Sequence, residues 1–309
     1  MRRVRESAWI ALAAVLGLLA LWQPQGLYLF ALALFGLPHV LWELAWVRQV
    51  WGAALPRMLW MPLLGVLTMQ ALARFGLWSG RLDAATAAAC DAASLAVCLF
   101  VTVFMTPRLP RPRRYAFVAV GLAVPAGLIA VADTPYVVGV LAALAIAHNF
   151  TPLGLMPSDA RIGRWPARPL LGVMFLAPLL CCGLLWGAHS GVATGSTPPS
   201  EIGWLQGRST QLAAAALPAL VWAQCLHYLS VLYLMPRAIG PAWRGLPMRP
   251  LALLLCAGLS LYFFTDYKSA RGLYAVAAGV HAWLEWPLIL LGVAGLPLHA
   301  PDDSVVATS

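Results

Sequence analysis

The chain has 309 residues, 61% of them hydrophobic and only 10% charged, with a net charge of +9. Soluble domains run at about 45–50% apolar and about 25% charged, so this balance excludes an ordinary soluble domain. The basic residues fall in short connections between apolar runs, which is a membrane-topology pattern and argues against nucleic acid as a partner.

In chain order, about ten apolar runs reach transmembrane length: residues 7–23, 27–47, 57–77, 85–106, 115–132, 135–156, 169–188, 211–235, 250–266 and 272–296. The predicted fold is an all-α polytopic integral membrane bundle, one domain over residues 1–299. The N-terminal Met-Arg-Arg-Val-Arg before the first run looks like a targeting signal. However, Leu18–Gly26 offers no small-x-small cleavage site, so the run is expected to remain as an anchor. Connections on one side hold fifteen arginines, and those on the other hold Arg74, Arg81, Arg208, Lys268 and Arg271. That bias predicts both termini in the cytoplasm of a bacterial inner membrane, N-in and C-in. The connection Ser190–Ser209 is the longest and is expected as a loop. The tail Ala300–Ser309 is small, polar and acidic, and is expected as a disordered cytoplasmic tail.

Six cysteines lie inside apolar runs without CxxC spacing, as small buried hydrophobes do. Asp91, in the fourth run, is expected to make a polar contact between helices. The tryptophans lie largely toward the ends of the runs, as interfacial anchors do.

Four histidines lie inside apolar runs: His39, His148, His227 and His281. An ionisable residue within the bilayer is costly and marks a functional site by default. All four fall on even-numbered runs, which share one direction. Counted at 1.5 Å per residue, His39 and His148 lie about 18–20 Å from the start of their runs, His227 about 24 Å and His281 about 14 Å. With boundaries shifted by a few residues, the four imidazoles converge on one centre. Glu43 and Glu285 each follow a histidine by four residues, on the same helix face, as a supporting carboxylate or a ligand would. Asn149 and Tyr228 stand beside the ligand candidates, and Pro38, Pro152 and Pro287 flank them. Imidazoles suit Fe, Cu or Zn, and the lack of thiolate spacing argues against an iron–sulfur cluster. Such a centre in an apolar cavity suits iron(II) and O2 chemistry on an apolar substrate from the bilayer. A different class, a transporter using the histidine–glutamate pairs as a proton or metal-ion path, is the alternative. The clustered histidine boxes of membrane desaturases are absent.

The segment Gly36-Leu37-Pro38-His39 with Glu43, the stretch Ala147-His148-Asn149-Phe150, and His281 with Glu285 resemble the Brp/Blh family of integral-membrane β-carotene 15,15′-dioxygenases. The resemblance implies iron-dependent cleavage of a carotenoid double bond by O2 to give an aldehyde. Where that family carries two histidines four residues apart in its third site helix, this chain has His227 alone. It also has a longer gap between His39 and His148.

Overall fold

The computed structural model describes residues 6–52, 57–105, 111–132, 134, 136–157, 159–162, 165–189, 210–240 and 243–293. The connection Ser190–Ser209 and the tail Ala300–Ser309 lie outside the described residues. The fold is all-α. The long helices are α1 (Glu6–Trp22), α2 (Pro24–Val50), α3 (Arg57–Trp78), α4 (Ala84–Met105), α5 (Arg111–Val131) and α6 (Val137–Ala147). After a short α7 (Pro152–Leu155) come α8 (Ala167–His189), α9 (Thr210–Leu229), a short α10 (Met235–Ala238), α11 (Arg249–Thr265) and α12 (Tyr267–Val293). Among the described residues the strands are β1 (Arg161–Ile162) and β2 (Trp165–Pro166), paired antiparallel as a small hairpin before α8.

Six of these helices are long and apolar enough to cross a membrane, and four shorter apolar helices accompany them. Their lipid-facing surfaces are crowded with exposed residues such as Leu18, Met61, Leu184, Leu254 and Phe264. In water that surface would be an aggregation liability, whereas in a bilayer it is the solvent-matched face. Inside, α12 packs against α2, α3, α4 and α11, so it stands at the middle of the bundle. Trp46, Trp51 and Trp283 are fully buried and fill the core. The expectation that tryptophans serve as interfacial anchors therefore fails for these three, because the bundle uses their bulk to close gaps between helices.

Most prolines inside the helices do not break them. Pro38, Pro62, Pro125, Pro178, Pro218 and Pro287 all lie inside helices that continue through them. A membrane helix tolerates proline when neighbouring groups satisfy the freed carbonyl. At Pro152 the outcome differs. Its missing N–H deprives the His148 carbonyl of its usual donor. Thr151 supplies two, its backbone N–H at 3.0 Å and its hydroxyl at 2.7 Å. The helix tightens into a 3-10 turn over His148–Phe150 and restarts as α7, so the sixth predicted run is not one helix. A second irregularity follows His227: residues Ser230–Leu234 form a π-helical segment, a feature common at functional sites.

At the helix ends, Asp83 caps α4 by accepting hydrogen bonds from the Thr86 hydroxyl at 2.7 Å and the Thr86 N–H at 2.9 Å. Asp266 accepts the Ser269 N–H at the start of α12. These bonds hold both carboxyls below their ordinary values. The stability each cap lends is present above the ordinary carboxylate pKa and is lost as pH falls through the lowered one.

Glycine permits one close approach that can be tested. A Cβ on Gly17 of α1 would lie 2.6 Å from the Trp222 ring of α9, whose Nε1 donates to the Ala13 carbonyl at 2.9 Å. Gly17→Ala is expected to cost about 1–3 kcal/mol through overpacking. Gly258→Ala on α11, where a Cβ meets nothing within 4 Å, serves as the control. Thermal unfolding in detergent measures both, and equal midpoints would show that α1 does not pack on α9 at this glycine.

Candidate metal centre

The four histidines meet. One ring nitrogen from each of His39, His148, His227 and His281 lies within 4.8 Å of the others, and all four side chains are buried. Their ring centroids stand 4.6 Å apart for His148 with His227 and with His281, and 5.0 and 5.2 Å for His39 with His281 and His227. The mismatch in depth read from the sequence closes mainly at α12. That helix begins at Tyr267, which sets His281 about 7–8 Å further along it than a start at residue 272 would.

Two tautomers follow from hydrogen bonding. His39 Nδ1 lies 3.0 Å from the Phe35 carbonyl, which can only accept, so Nδ1 carries the proton. His148 Nδ1 lies 2.6 Å from Glu285 Oε2 and donates to that carboxylate. Both rings keep a lone pair on Nε2, the state a metal ligand needs. For His227 and His281 neither ring nitrogen has a hydrogen-bond partner, and the same is true of both oxygens of Glu43 and of Glu285 Oε1. Buried polar atoms are rarely left this way. Seven such atoms at one place form a donor group that could hold an ion.

Neither carboxylate hydrogen-bonds the histidine four residues before it, although Glu285 stays in one donor group with His281. Glu285 bonds His148 across helices, while Glu43 Oε2 sits 3.4 Å from His227 Nε2 and 3.8 Å from His281 Nε2. At about 2.0–2.2 Å per bond, two donors on one cation stand about 3–4 Å apart. Glu43 therefore has the spacing of a direct ligand. Glu285 has that of an outer partner that orients a ligand, although it also forms a three-donor group with Glu43 and His281. None of the six cysteines belongs to either group among the described residues, and the donor set of nitrogen and oxygen fits a first-row transition metal.

Above this layer lies a cavity of about 500 Å³. The four histidines line it, whereas Glu43 and Glu285 do not. The histidine layer is thus its floor, with the carboxylates beneath. The rim, Leu77, Ala84 and Val138, is exposed at the end of the bundle where α4, α6 and α12 begin. Comparison of the chain with family models, curated proteins and solved structures finds no match.

The remaining site candidates are placed as follows. Tyr228 lies over His39 with ring centroids 4.3 Å apart and accepts a 2.6 Å hydrogen bond from Gln224 Nε2. Asn149 lines the cavity, with its amide turned to the Ile146 carbonyl at 3.1 Å.

Sequence reasoning placed Arg74 in a connection. It lies instead within α3, and its Nε and Nη2 grip Asp91 of α4 at 2.9 and 2.7 Å. Gln70 adds a third bond to Asp91 at 3.1 Å, and Trp283 Nε1 donates to the Asp91 carbonyl at 3.0 Å. Asp91 thus makes the contact between helices expected of it. The signal available was the i, i+4 spacing of Gln70 and Arg74, a polar stripe on an otherwise apolar helix.

Proposed function

We propose that this chain is an integral-membrane, non-haem metal oxygenase that uses O2 on an apolar isoprenoid, carotenoid or other lipid substrate. In this reading the chain makes ten spans with both termini cytoplasmic, in a bacterial inner membrane, and the metal is iron(II). Its likeness to the Brp/Blh dioxygenases in the segments around His39, His148 and His281 supports the reaction class. The observation that carries the reading is the cavity floor, where four buried imidazoles, two of them with neither ring nitrogen hydrogen-bonded, face a largely apolar space.

In this reading His39, His148, His227, His281 and Glu43 hold the metal. When bound, it supplies O2 activation next to the substrate. Glu285 fixes the His148 ring through its 2.6 Å bond and thereby raises the basicity of that ligand. Tyr228, whose ring lies over His39 on the cavity wall, carries an O–H that can hold a proton there. The alternative, a transport path, requires polar groups leading away beneath the carboxylates. Beyond them α2 and α12 continue with the fully buried Trp46, Trp51, Leu288 and Leu291, bulky side chains that disfavour a path there.

The direct test is O2 uptake by iron-loaded protein in lipid nanodiscs, presented with a panel of carotenoids, retinoids and unsaturated lipids. Uptake that requires both iron and one substrate class, with 18O in the product, supports the reading. Iron-loaded protein that consumes no O2 with any of them sinks it. The two carboxylates are expected to separate. Glu285→Gln weakens metal binding about 10–100-fold, the usual effect of losing an outer partner, while Glu43→Gln weakens it more. Chelator competition measures both, and the reverse ranking would exchange their roles.

A further inference from the structure

The cavity holds one charged feature besides the histidines, the Arg74–Asp91 pair on its wall. The pair is not sealed: its side chains keep 21% and 12% exposure. Arg74 spends three N–H groups, two on Asp91 and one from Nη1 to the Ala275 carbonyl at 3.0 Å. A guanidinium has five, so two are left over on a side chain that lines the cavity. A clamp that merely tied α3, α4 and α12 together would need no such opening.

Depth locates these donors. A Cβ on Gly279 would lie 2.5 Å from Arg74 Nε and 2.5 Å from Gln70 Nε2, so only glycine lets the cluster close on α12 there. Gly279 precedes His281 by two residues, about 3 Å along the axis. The rim residue Val138 precedes His148 by ten, about 15 Å along α6. Arg74 Nη1 also meets the Ala275 carbonyl, six residues or about 9 Å before His281, so Arg74 donates from a level between the floor and the rim. Around it the lining combines small side chains such as Ala87, Ala88, Ala142 and Ala278 with the polar Tyr28, Gln224 and Tyr274.

We propose that the cavity takes a neutral, long-chain molecule bearing one oxygen acceptor, an alcohol or carbonyl, polar end first, with that oxygen on Arg74 and the tail toward the rim. The inference deepens the oxygenase reading and rests on it for its chemical consequence: the reacting carbons are those near the oxygenated end. Charge selects the neutral class. Asp91 already balances Arg74, and a carboxylate ligand would meet Asp91 with no free cation. A plain hydrocarbon would displace water from the two N–H donors without offering an acceptor, which costs affinity.

The test uses full-length protein in nanodiscs and two photoprobes. Both are the same long-chain alcohol, with a diazirine beside the hydroxyl in one and at the tail end in the other. The head probe is expected to label the floor near Ala87 and Ala278, and the tail probe the rim near Leu77 and Val138. The unlabelled alcohol should compete about tenfold better than the matching acid or alkane. In Arg74→Met/Asp91→Leu, which removes the charges together, that preference should vanish. Tail labelling at the floor, an acid that competes as well as the alcohol, or a double variant that keeps the preference would each overturn the proposal. The labelling is run on iron-loaded and on chelator-treated protein. Head-first labelling in protein that never binds iron would uphold this site and end the oxygenase reading. Iron-dependent O2 uptake with the wrong orientation would do the opposite.

Discussion

Detergent-purified protein is expected to carry about one first-row transition-metal ion per chain, and each of His39→Ala, His148→Ala, His227→Ala and His281→Ala is expected to lose it. The loss should exceed the about 10–100-fold typical of an outer-partner mutation, because each change deletes a donor outright. Elemental mass spectrometry after iron reconstitution measures the content. Cys98→Ala, a buried thiol that belongs to neither donor group, should keep full occupancy. Binding only to the folded state also raises stability, so chelation should lower the melting temperature of the wild type and leave the four variants nearly unmoved. A well-folded wild type that holds no metal after reconstitution would remove the centre altogether. Loss from two variants with retention in the other two would reduce it to a smaller ligand set.

The parts of this site that follow from periodicity and composition were legible in the sequence. Apart from the sixth, which breaks at His148, each predicted run meets an apolar helix with ends displaced by a few residues, because hydropathy and proline-rich connections set both. The histidines stand out for the same reason, as ionisable groups in apolar runs. What local reading misplaced depends on neighbours. Spacing of four residues put Glu43 beside His39 and Glu285 beside His281 on shared faces. Yet the His39 ring turns back to the Phe35 carbonyl, and the carboxylates serve rings on other helices. The break at His148 had a visible cause in Pro152. The π-helical segment after His227 had none, since Ser230–Leu234 reads as ordinary helix. Arg74 escaped because its partner, Asp91, lies on the next helix, and no local pattern announces a pairing across a turn.

That pair carries the second large expected effect. Asp91→Ala leaves the part-buried Arg74 guanidinium with the Ala275 carbonyl and the Trp283 ring, 5.6 Å away, as its remaining protein contacts. Breaking one side of a buried pair costs about 3–5 kcal/mol, and a membrane interior offers little water to soften it. Arg74→Met strands Asp91 in the same way, apart from its bond from Gln70. Arg74→Met/Asp91→Leu should recover most of the loss, because replacing both partners with packed apolar groups is often neutral or stabilising. Reversible unfolding in mixed detergent, run on all three, gives the comparison. Single variants within about 1 kcal/mol of wild type would mean the pair is solvated, as surface ion pairs are, and would place α3 and α4 differently from the structure. Marked single losses with a recovered double variant would instead show a charge pair that stability does not require. Its retention in the wall of the cavity would then call for a ligand.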